Sequence, residues 1–199
     1  MTGEFNELIE RIKKLDEEAV KLLRETIIAE IEGIARIDVH REARAGKPEA
    51  IFAEGKSVDD LLSIVKAYVE KSGRVLVTRL SDAQMEALEQ LNQQLNQEQL
   101  SQEELNVRIN RKARTAVIQL IKSGNVAESR NKSGNKGKVA IMTAGTSDIP
   151  VAEEAAETAE FLGLDVLKFY DVGVAGIHRL VEPIRKIAEE EVDADIVVA

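Results

Sequence analysis

The chain has 199 residues, of which 44% are hydrophobic and 32% are charged, a balance typical of a folded protein rather than a disordered one. Its formal net charge is −9 and only 3% of its residues are aromatic. Neither charge nor base stacking therefore favours a nucleic-acid partner. The sequence contains no cysteine, which excludes a disulfide, a thiolate metal site and a cysteine nucleophile among these residues.

The N-terminus shows no export signal. The stretch MTGEFNELIERIKKLDEEAV carries acidic side chains where a secretory signal has a basic region followed by an apolar one. No run of about 18 apolar residues occurs anywhere in the sequence. The sequence therefore predicts a cytoplasmic protein without a membrane partner.

The first third of the chain predicts one amphipathic helix and then a basic segment. Apolar residues recur three and four apart between Phe5 and Ile27, and Gly33 is expected to end or bend the helix. Residues 36–56 hold six basic side chains among two glycines and Pro48, and they are predicted to form a functional loop with short pieces of structure, too polar for the core.

Within segment 36–56, three side chains are candidates to clamp a phosphate or a carboxylate: Arg41, Arg44 and Lys56. The two arginines lie three apart and would share a face of a helix. The alternative is a solvated surface in which neighbouring glutamates form salt bridges with these basic side chains. The residues alone favour this alternative.

Next come a helix, a strand and a second helix. Ser57 and Asp60 form a start similar to a capping box, and residues 61–69 supply a buried helix face. RVLVTR at 74–79 predicts a buried strand, and Ser81 opens a helix that leucines extend through the Gln-rich stretch 84–102. Residues 107–121 are ambiguous, although TAVIQLI fits a strand.

The stretch from 122 to 137 has no periodicity and is rich in Gly, Asn and Ser, so it predicts a linker between a domain at 1–121 and a domain at 138–199. The second domain reads β-α-β-α-β: VAIMTA, a helix closed by Gly163, LDVLKFY, a helix from about 177 to 191, and DIVVA. Right-handed crossovers make these strands parallel. Because DIVVA is apolar on both faces and no covering helix follows it, we expect a piece of a longer protein, truncated at its C-terminus, with part of its active site elsewhere.

Two loops follow neighbouring strands of this sheet, TAGTSD at 143–148 and DVGVAGIHR at 171–179. Ligands of open parallel sheets bind at the carboxyl ends of the strands, so both loops should face one crevice. Gly145 allows close approach of the backbone, Thr146 and Ser147 offer hydroxyls, and the following helix N-terminus attracts an anion. The alternative is that Ser147 or Asp148 only caps that helix.

The second loop contains His178, and histidine is the side chain that most commonly serves as a proton shuttle near neutral pH. A histidine at a helix start is more commonly a surface or capping residue than a catalytic one. Because the Ser-Asp loop is expected to lie beside it, the catalytic and the structural interpretations carry about equal weight. Neither GxxxxGK nor GxGxxG occurs, so ATP hydrolysis and hydride transfer lack support.

KVAIMTAGTSDIPVAEEAAETAEFLGLDVLKFYDVGVAGIHRL resembles the N-terminal half of the carboxylase domain of the LarB family, the pyridinium biscarboxylic acid mononucleotide synthases of nickel-pincer cofactor biosynthesis. IDVHREARAGKPEAIFAEGKS is similar to the N-terminal signature of that family. The second domain is more distantly similar to the aminoimidazole ribonucleotide carboxylases and mutases (PurE), in which a Gly-Ser-x-Ser-Asp loop holds the nucleotide phosphate and a Ser-Ala-His-Arg loop supplies the working histidine.

The resemblance implies an α/β fold: an N-terminal α+β domain, then a PurE-like, flavodoxin-like doubly wound parallel sheet that is incomplete at the C-terminus. It implies a carboxylase/hydrolase that carboxylates nicotinic acid adenine dinucleotide with CO2 and releases AMP. Asp148 and His178 would be catalytic, and the substrate would be bound by Gly145, Thr146, Ser147, Arg41, Arg44 and Lys56. No organic cofactor is implied, Mg²⁺ is compatible with the chemistry, and relatives of this kind form homo-oligomers.

The resemblance leaves alternatives to this activity open. In the family a cysteine from the far C-terminal part of the domain adds to the pyridinium ring, and no cysteine occurs in this sequence. A PurE-type purine enzyme is disfavoured because DVGVAGIHR replaces the Ser-Ala-His-Arg context and because such an enzyme does not need the first 130 residues. A non-catalytic nucleotide-binding module is the remaining interpretation.

Overall fold

Two short strands form a hairpin near the start of the described part of the chain. The computed structural model describes Glu10, which is helical, and residues 28–31, 35–38, 46, 48–97, 103–122, 137–173, 175–188 and 194–199. Strand β1 (Ile28–Ile31) pairs antiparallel with β2 (Ala35–Asp38). The prediction of a helix that continues to Gly33 is therefore wrong for residues 28–31, where isoleucines at both ends favour extended backbone once a partner strand is present. The rest of that predicted helix, apart from Glu10, lies outside the described residues.

The first domain contains a four-stranded sheet with the order β3-β4-β6-β5. Its strands are β3 (Ala50–Phe52), β4 (Arg74–Thr78), β5 (Glu103–Asn110) and β6 (Thr115–Lys122). β3 runs parallel to β4, whereas β6 runs antiparallel to both β4 and β5. The ambiguous stretch 107–121 thus belongs to the β5–β6 hairpin, in which Asn110 Oδ1 accepts a hydrogen bond from the amide of Ala113 at 3.1 Å.

Two helices cover this sheet, α1 (Val58–Ser72) and α2 (Asp82–Gln97), as the sequence predicts. Ser57 Oγ accepts a hydrogen bond from the amide of Asp60 at 3.1 Å, and Gly73 ends α1 in the left-handed conformation that glycine favours. The core between helices and sheet is formed by Ile51, Ala53, Leu61, Ile64, Val65, Tyr68, Val69, Val75, Val77, Leu80, Met85, Leu88, Leu91, Leu105, Ala116 and Ile118.

One expectation about segment 36–56 is corrected by this core. Ile51 and Ala53 are buried, although their polar surroundings in the sequence indicated a segment too polar for the core. The reason is that β3, only three residues long, completes the sheet by pairing with β4, and this partner is not visible in the local sequence. Residues 123–136, most of the predicted linker, lie outside the described part, so the domain boundary stays a prediction.

The second unit is a three-stranded parallel sheet with the order β8-β7-β9. Its elements are β7 (Lys138–Met142), a 3-10 turn (Thr146–Asp148), α3 (Ile149–Phe161), β8 (Asp165–Phe169), α4 (His178–Ala188) and β9 (Ile196–Val198). All five predicted helices and strands are present. In chain order this sheet is 2-1-3, the start of the flavodoxin-like order, and it confirms the predicted fold class.

The last strand is apolar and uncovered, as the sequence predicts for DIVVA. Among the described strands β9 lies at an edge of the sheet, and Ile196, Val197 and Val198 are between 44 and 57% exposed. Val181 and Ile184 of α4 are also exposed. None of the helices in the described ranges combines the length and the apolar character needed to cross a bilayer.

Candidate functional site

The loops that follow β7 and β8 lie side by side at the carboxyl edge of the second sheet. The amide of Val172 donates to the carbonyl of Thr143 at 2.9 Å, and the amide of Gly173 donates to the carbonyl of Ala144, also at 2.9 Å. These bonds join the two loops just beyond Met142 and Phe169, the last paired residues of the two strands. The structure therefore brings the loop of Gly145 next to the loop that leads to His178, as the parallel topology predicts.

Gly173 makes this close approach of the two loops possible. A Cβ at position 173 would lie 2.5 Å from the carbonyl oxygen of Ala144, far inside van der Waals contact. The obstructing atom belongs to the backbone, so no side-chain rotation relieves the clash. Only glycine fits at this position without moving a loop.

The first loop enters α3 through exposed polar side chains. Thr146, Ser147 and Asp148 form the 3-10 turn and are all exposed. Ser147 Oγ donates to Asp148 Oδ1 at 3.2 Å, and Asp148, at the N-cap position of α3, makes no side-chain cap hydrogen bond. The alternative in which one of these side chains only caps the helix is therefore wrong. The amide of Ile149 donates to the carbonyl of Thr146 and Pro150 has no N–H, so the amides that can face an outside acceptor are those of the 3-10 turn at 146–148.

The second loop places His178 at the first residue of α4, where it is exposed. Its ring lies against Gly176, since a Cβ at position 176 would lie 2.5 Å from the imidazole Cε1. Next to the histidine, Arg179 Nη2 donates to Asp171 Oδ2 at 2.9 Å. The amide of Asp171 donates in turn to Thr143 Oγ1 at 3.2 Å, which ties the start of α4 to the end of β7.

A cluster behind the first loop joins α3 to β8. Lys168 Nζ lies 3.1 Å from Glu153 Oε2 and 3.5 Å from Glu160 Oε1. Burial acts to raise the pKa of Glu153, but hydrogen bonds from Lys168 and Asn110 outweigh it and the pKa lies below its ordinary value. Burial acts to lower the pKa of Lys168, and the two carboxylates raise it overall. Burial and then the Glu153 carboxylate raise the pKa of Tyr170.

The first domain contributes one described candidate, Lys56, in the turn after β3. Gln84, buried in α2, fixes this turn: its Nε2 donates to the carbonyls of Ala53 at 3.1 Å and of Lys56 at 2.9 Å. The same glutamine forms a capping box with Ser81. Arg41 and Arg44 lie outside the described residues, and their part in substrate binding stays a prediction.

Several residues that shape the site were missed by the sequence reasoning. Gly173 and Thr143 act through contacts between two loops, which no local pattern reveals. Asp171 and Arg179 carry opposite charges at the two ends of DVGVAGIHR, a signal that could have identified their ion pair. Gln84 stands three residues after Ser81, and this capping-box spacing was the available signal for it.

No group of three or more His, Asp or Glu side chains suited to a metal ion occurs in the described part of the chain. The two candidate loops contain the carboxylates of Asp148 and Asp171, and Asp171 pairs with Arg179. These are too few ligands for a dedicated protein cage. Mg²⁺ commonly binds proteins through one or two carboxylates together with substrate phosphates. Binding of Mg²⁺ therefore stays a prediction, in which phosphates of a bound nucleotide would supply the remaining ligands.

Comparison with known proteins identifies a family for the first domain. A family model described as the LarB/PurE-like N-terminal domain matches residues 28–122, the first domain of the structure. An uncharacterized protein of Methanocaldococcus jannaschii is 38% identical over 184 residues, which are 92% of this chain and 66% of that protein. The chain thus spans about two thirds of the length of this relative.

Proposed function

Because the chain belongs to the LarB/PurE-like family, through the N-terminal domain at residues 28–122, we propose that it takes part in carboxylation of a pyridinium nucleotide. The proposed reaction carboxylates the ring of nicotinic acid adenine dinucleotide with CO2 and hydrolyses the phosphoanhydride to release AMP. The observation that carries the proposal is the pair of loops joined by two backbone hydrogen bonds beside an uncapped helix start.

The loop after β7 suits a nucleotide phosphate in this proposal. Thr146 presents an exposed hydroxyl donor, and the exposed hydroxyl of Ser147 would turn from Asp148 Oδ1 to the ligand. The amides of the 3-10 turn favour an anion by about 0.3 to 1 kcal/mol. Gly145 keeps a side chain away from this approach. Lys56, with Arg41 and Arg44, is proposed to contact the substrate from the first domain.

His178 and Asp148 are proposed to handle protons. A carbon–carbon bond forms between the ring and CO2, and the proton of the attacked ring carbon passes to the imidazole of His178. Water attacks the phosphoanhydride phosphorus, and AMP leaves with the electrons of the broken bond. The ring must first be made electron-rich by addition of a nucleophile, and this nucleophile leaves again after the ring proton is lost. These residues provide no cysteine for that addition.

The test is incubation of the full-length protein with nicotinic acid adenine dinucleotide, labelled bicarbonate and Mg²⁺, with aminoimidazole ribonucleotide offered in a parallel reaction. Residues 1–199 alone provide no cysteine nucleophile, so they should show weak turnover or none. We expect label in the pyridinium product and AMP in equal amounts, reduced at least about tenfold by H178Q or S147A, as for the loss of a general base or of a phosphate ligand. S63A, on α1, is the matched control for S147A. Label on aminoimidazole ribonucleotide instead, or nucleotide binding without any label, would overturn the proposal in favour of a PurE-type or a non-catalytic role.

A further inference from the structure

The acidic face of α3 lies against strands of the first domain. Glu157 Oε2 is 3.0 Å from Arg108 Nη2, and Glu154 Oε2 is 3.1 Å from Arg79 Nε. Asn110 Nδ2 donates to Glu153 Oε2 at 3.1 Å and to Glu157 Oε1 at 3.3 Å. We call these six side chains the interdomain network: Arg79, Arg108, Asn110, Glu153, Glu154 and Glu157.

The contacts along α3 fix the relative direction of the two units. At the start of β4, Arg74 lies 5.0 Å from the ring centroid of Phe161, at the end of α3. At the end of β4, Arg79 pairs with Glu154, near the start of α3. β4 therefore runs antiparallel to α3.

Strand β5 repeats this direction independently. Arg108 contacts Glu157 and, at 3.7 Å, Glu160, whereas Asn110, further along the strand, contacts Glu153 and Glu157. The later residue of the strand therefore pairs with the earlier part of the helix. Two strands thus give the same orientation of the first sheet relative to α3.

This direction aligns the loop edges of the two units. Because α3 starts at the carboxyl edge of β7, the carboxyl ends of β3, β4 and β5 point the same way as the two candidate loops. The turn of Lys56 follows β3, and the basic turn 111–114 follows β5. Basic groups of the first domain and the loop at 143–148 of the second unit, which we call the phosphate loop, therefore occupy the same end of the molecule.

Burial makes the network selective for this arrangement. The side chain of Glu157 is only 7% exposed, while that of Arg108 is 53% exposed. A buried carboxylate is strongly unfavourable unless it is paired and hydrogen-bonded. If the first domain packed on this face of α3 in a different orientation, Glu157 would be buried without its partners Arg108 and Asn110. The network therefore fixes orientation more than it adds stability.

We propose that Glu157, through Arg108 and Asn110, is a positioning residue that fixes the loop edge of the first domain beside the phosphate loop, so that one elongated dinucleotide contacts both. The proposal rests on the proposed function for the identity of the ligand. The alignment itself rests on the contacts of α3 alone. AMP is short enough to contact the phosphate loop alone. Comparing AMP with the dinucleotide therefore distinguishes a loss of alignment between the two units from damage to the phosphate loop itself.

The first experiment measures orientation without any ligand. The cysteine-free sequence allows spin labels at two exposed positions, K71C in the first domain and D165C in the second unit. We expect a single narrow distance distribution that E157Q and R108A broaden and E89Q leaves unchanged. E89Q is the matched control, because Glu89 pairs with Arg111 at 2.8 Å inside the first domain. A distribution that stays narrow in both E157Q and R108A would overturn the positioning role, whether or not the dinucleotide binds.

The second experiment compares two ligands by calorimetry. For E157Q we expect the Kd of nicotinic acid adenine dinucleotide to rise about tenfold and the Kd of AMP to change less than twofold, since misplacement of a contact far from the phosphate affects only the longer ligand. R108K, which keeps the charge, should restore part of the affinity lost in R108A. Equal losses for both ligands would contradict positioning and indicate general damage. Failure of the wild type to bind the dinucleotide would count against the proposed function, while the spin-label result would still decide the alignment.

Discussion

The two sheets of the molecule bury very different amounts of apolar surface. In the first domain, α1 and α2 cover one face of a four-stranded sheet with a continuous core. In the second unit the buried cluster centres on Val139, Ile141, Ala152 and Ala156. The stability of the described structure therefore resides mainly in the first domain, whereas the candidate chemistry lies on the less packed second unit. The acidic face of α3 connects the two.

The largest effect is expected in the first core. L88A removes a side chain that is fully buried, and it should lower the free energy of unfolding by about 2 to 5 kcal/mol. V181A, at a residue that is 60% exposed in the second unit, should change it by less than about 0.5 kcal/mol. Urea denaturation followed by circular dichroism measures both. Similar losses in the two variants would contradict the contrast between the two regions.

The next effect concerns the contact between the two loops. G173A should cost about 1 to 3 kcal/mol, because the new Cβ meets a backbone carbonyl that cannot rotate away. G176A meets only the exposed imidazole of His178, so its stability should change by less than about 0.5 kcal/mol while that ring is displaced. Thermal unfolding together with the NMR shifts of the His178 ring separates the two outcomes. If G173A were as stable as the wild type and the amide chemical shifts of the two loops were unchanged, the close contact between Gly173 and Ala144 would be contradicted.

Gln84 tests how the first domain holds the turn of Lys56. Q84A leaves the buried carbonyl of Ala53 without its side-chain donor and removes a capping box, so we expect a loss of about 1.5 kcal/mol. Q93A, an exposed glutamine on the same helix, is the control and should be neutral. Amide exchange of residues 53–56 should accelerate in Q84A only. Unchanged exchange there would show that the glutamine does not hold the turn.

The smallest effect is a pH dependence at the junction of α3 and β8. The folded-state pKa of Glu153 is lowered from 4.5, so its contribution is present above that value and is lost as the pH falls through the folded-state pKa. The pKa of Lys168 is raised from 10.5, so its contribution is complete below that value and is lost as the pH rises through the folded-state pKa. The pair should contribute up to about 1 kcal/mol between these limits.

E153Q is the control for this pH dependence. The variant should be less stable than the wild type near pH 7, and the difference should vanish at strongly acidic pH, where the wild-type carboxyl is protonated. Urea titrations at several pH values measure it. A difference that persists unchanged at strongly acidic pH, well below the lowered folded-state pKa of Glu153, would exclude the charge of Glu153 as the cause.

The local sequence predicts an element correctly where the residues that begin and end it lie within the element or directly beside it. Ser57 and Gly73 bound α1 through a cap and a left-handed glycine, and parallel strands with right-handed crossovers predicted how β7 and β8 align. The pairing of β3 and the hairpin β1–β2 depend on partners elsewhere in the chain, so the local sequence could not predict them. The same limit applies to the site. The loop positions follow from topology, but the approach of Gly173 to Ala144 and the pairing of Glu157 exist only once the units pack.

The central claim is that the loops after β7 and β8 form one nucleotide site. A titration of the labelled protein with nicotinic acid adenine dinucleotide, followed by amide chemical shifts, tests it without requiring turnover. We expect the amides of residues 145–148 and those of 173 and 176–179 to shift together with one Kd, while those of β9 stay unchanged. Shifts confined to one loop, or two different affinities for the two loops, would contradict the claim.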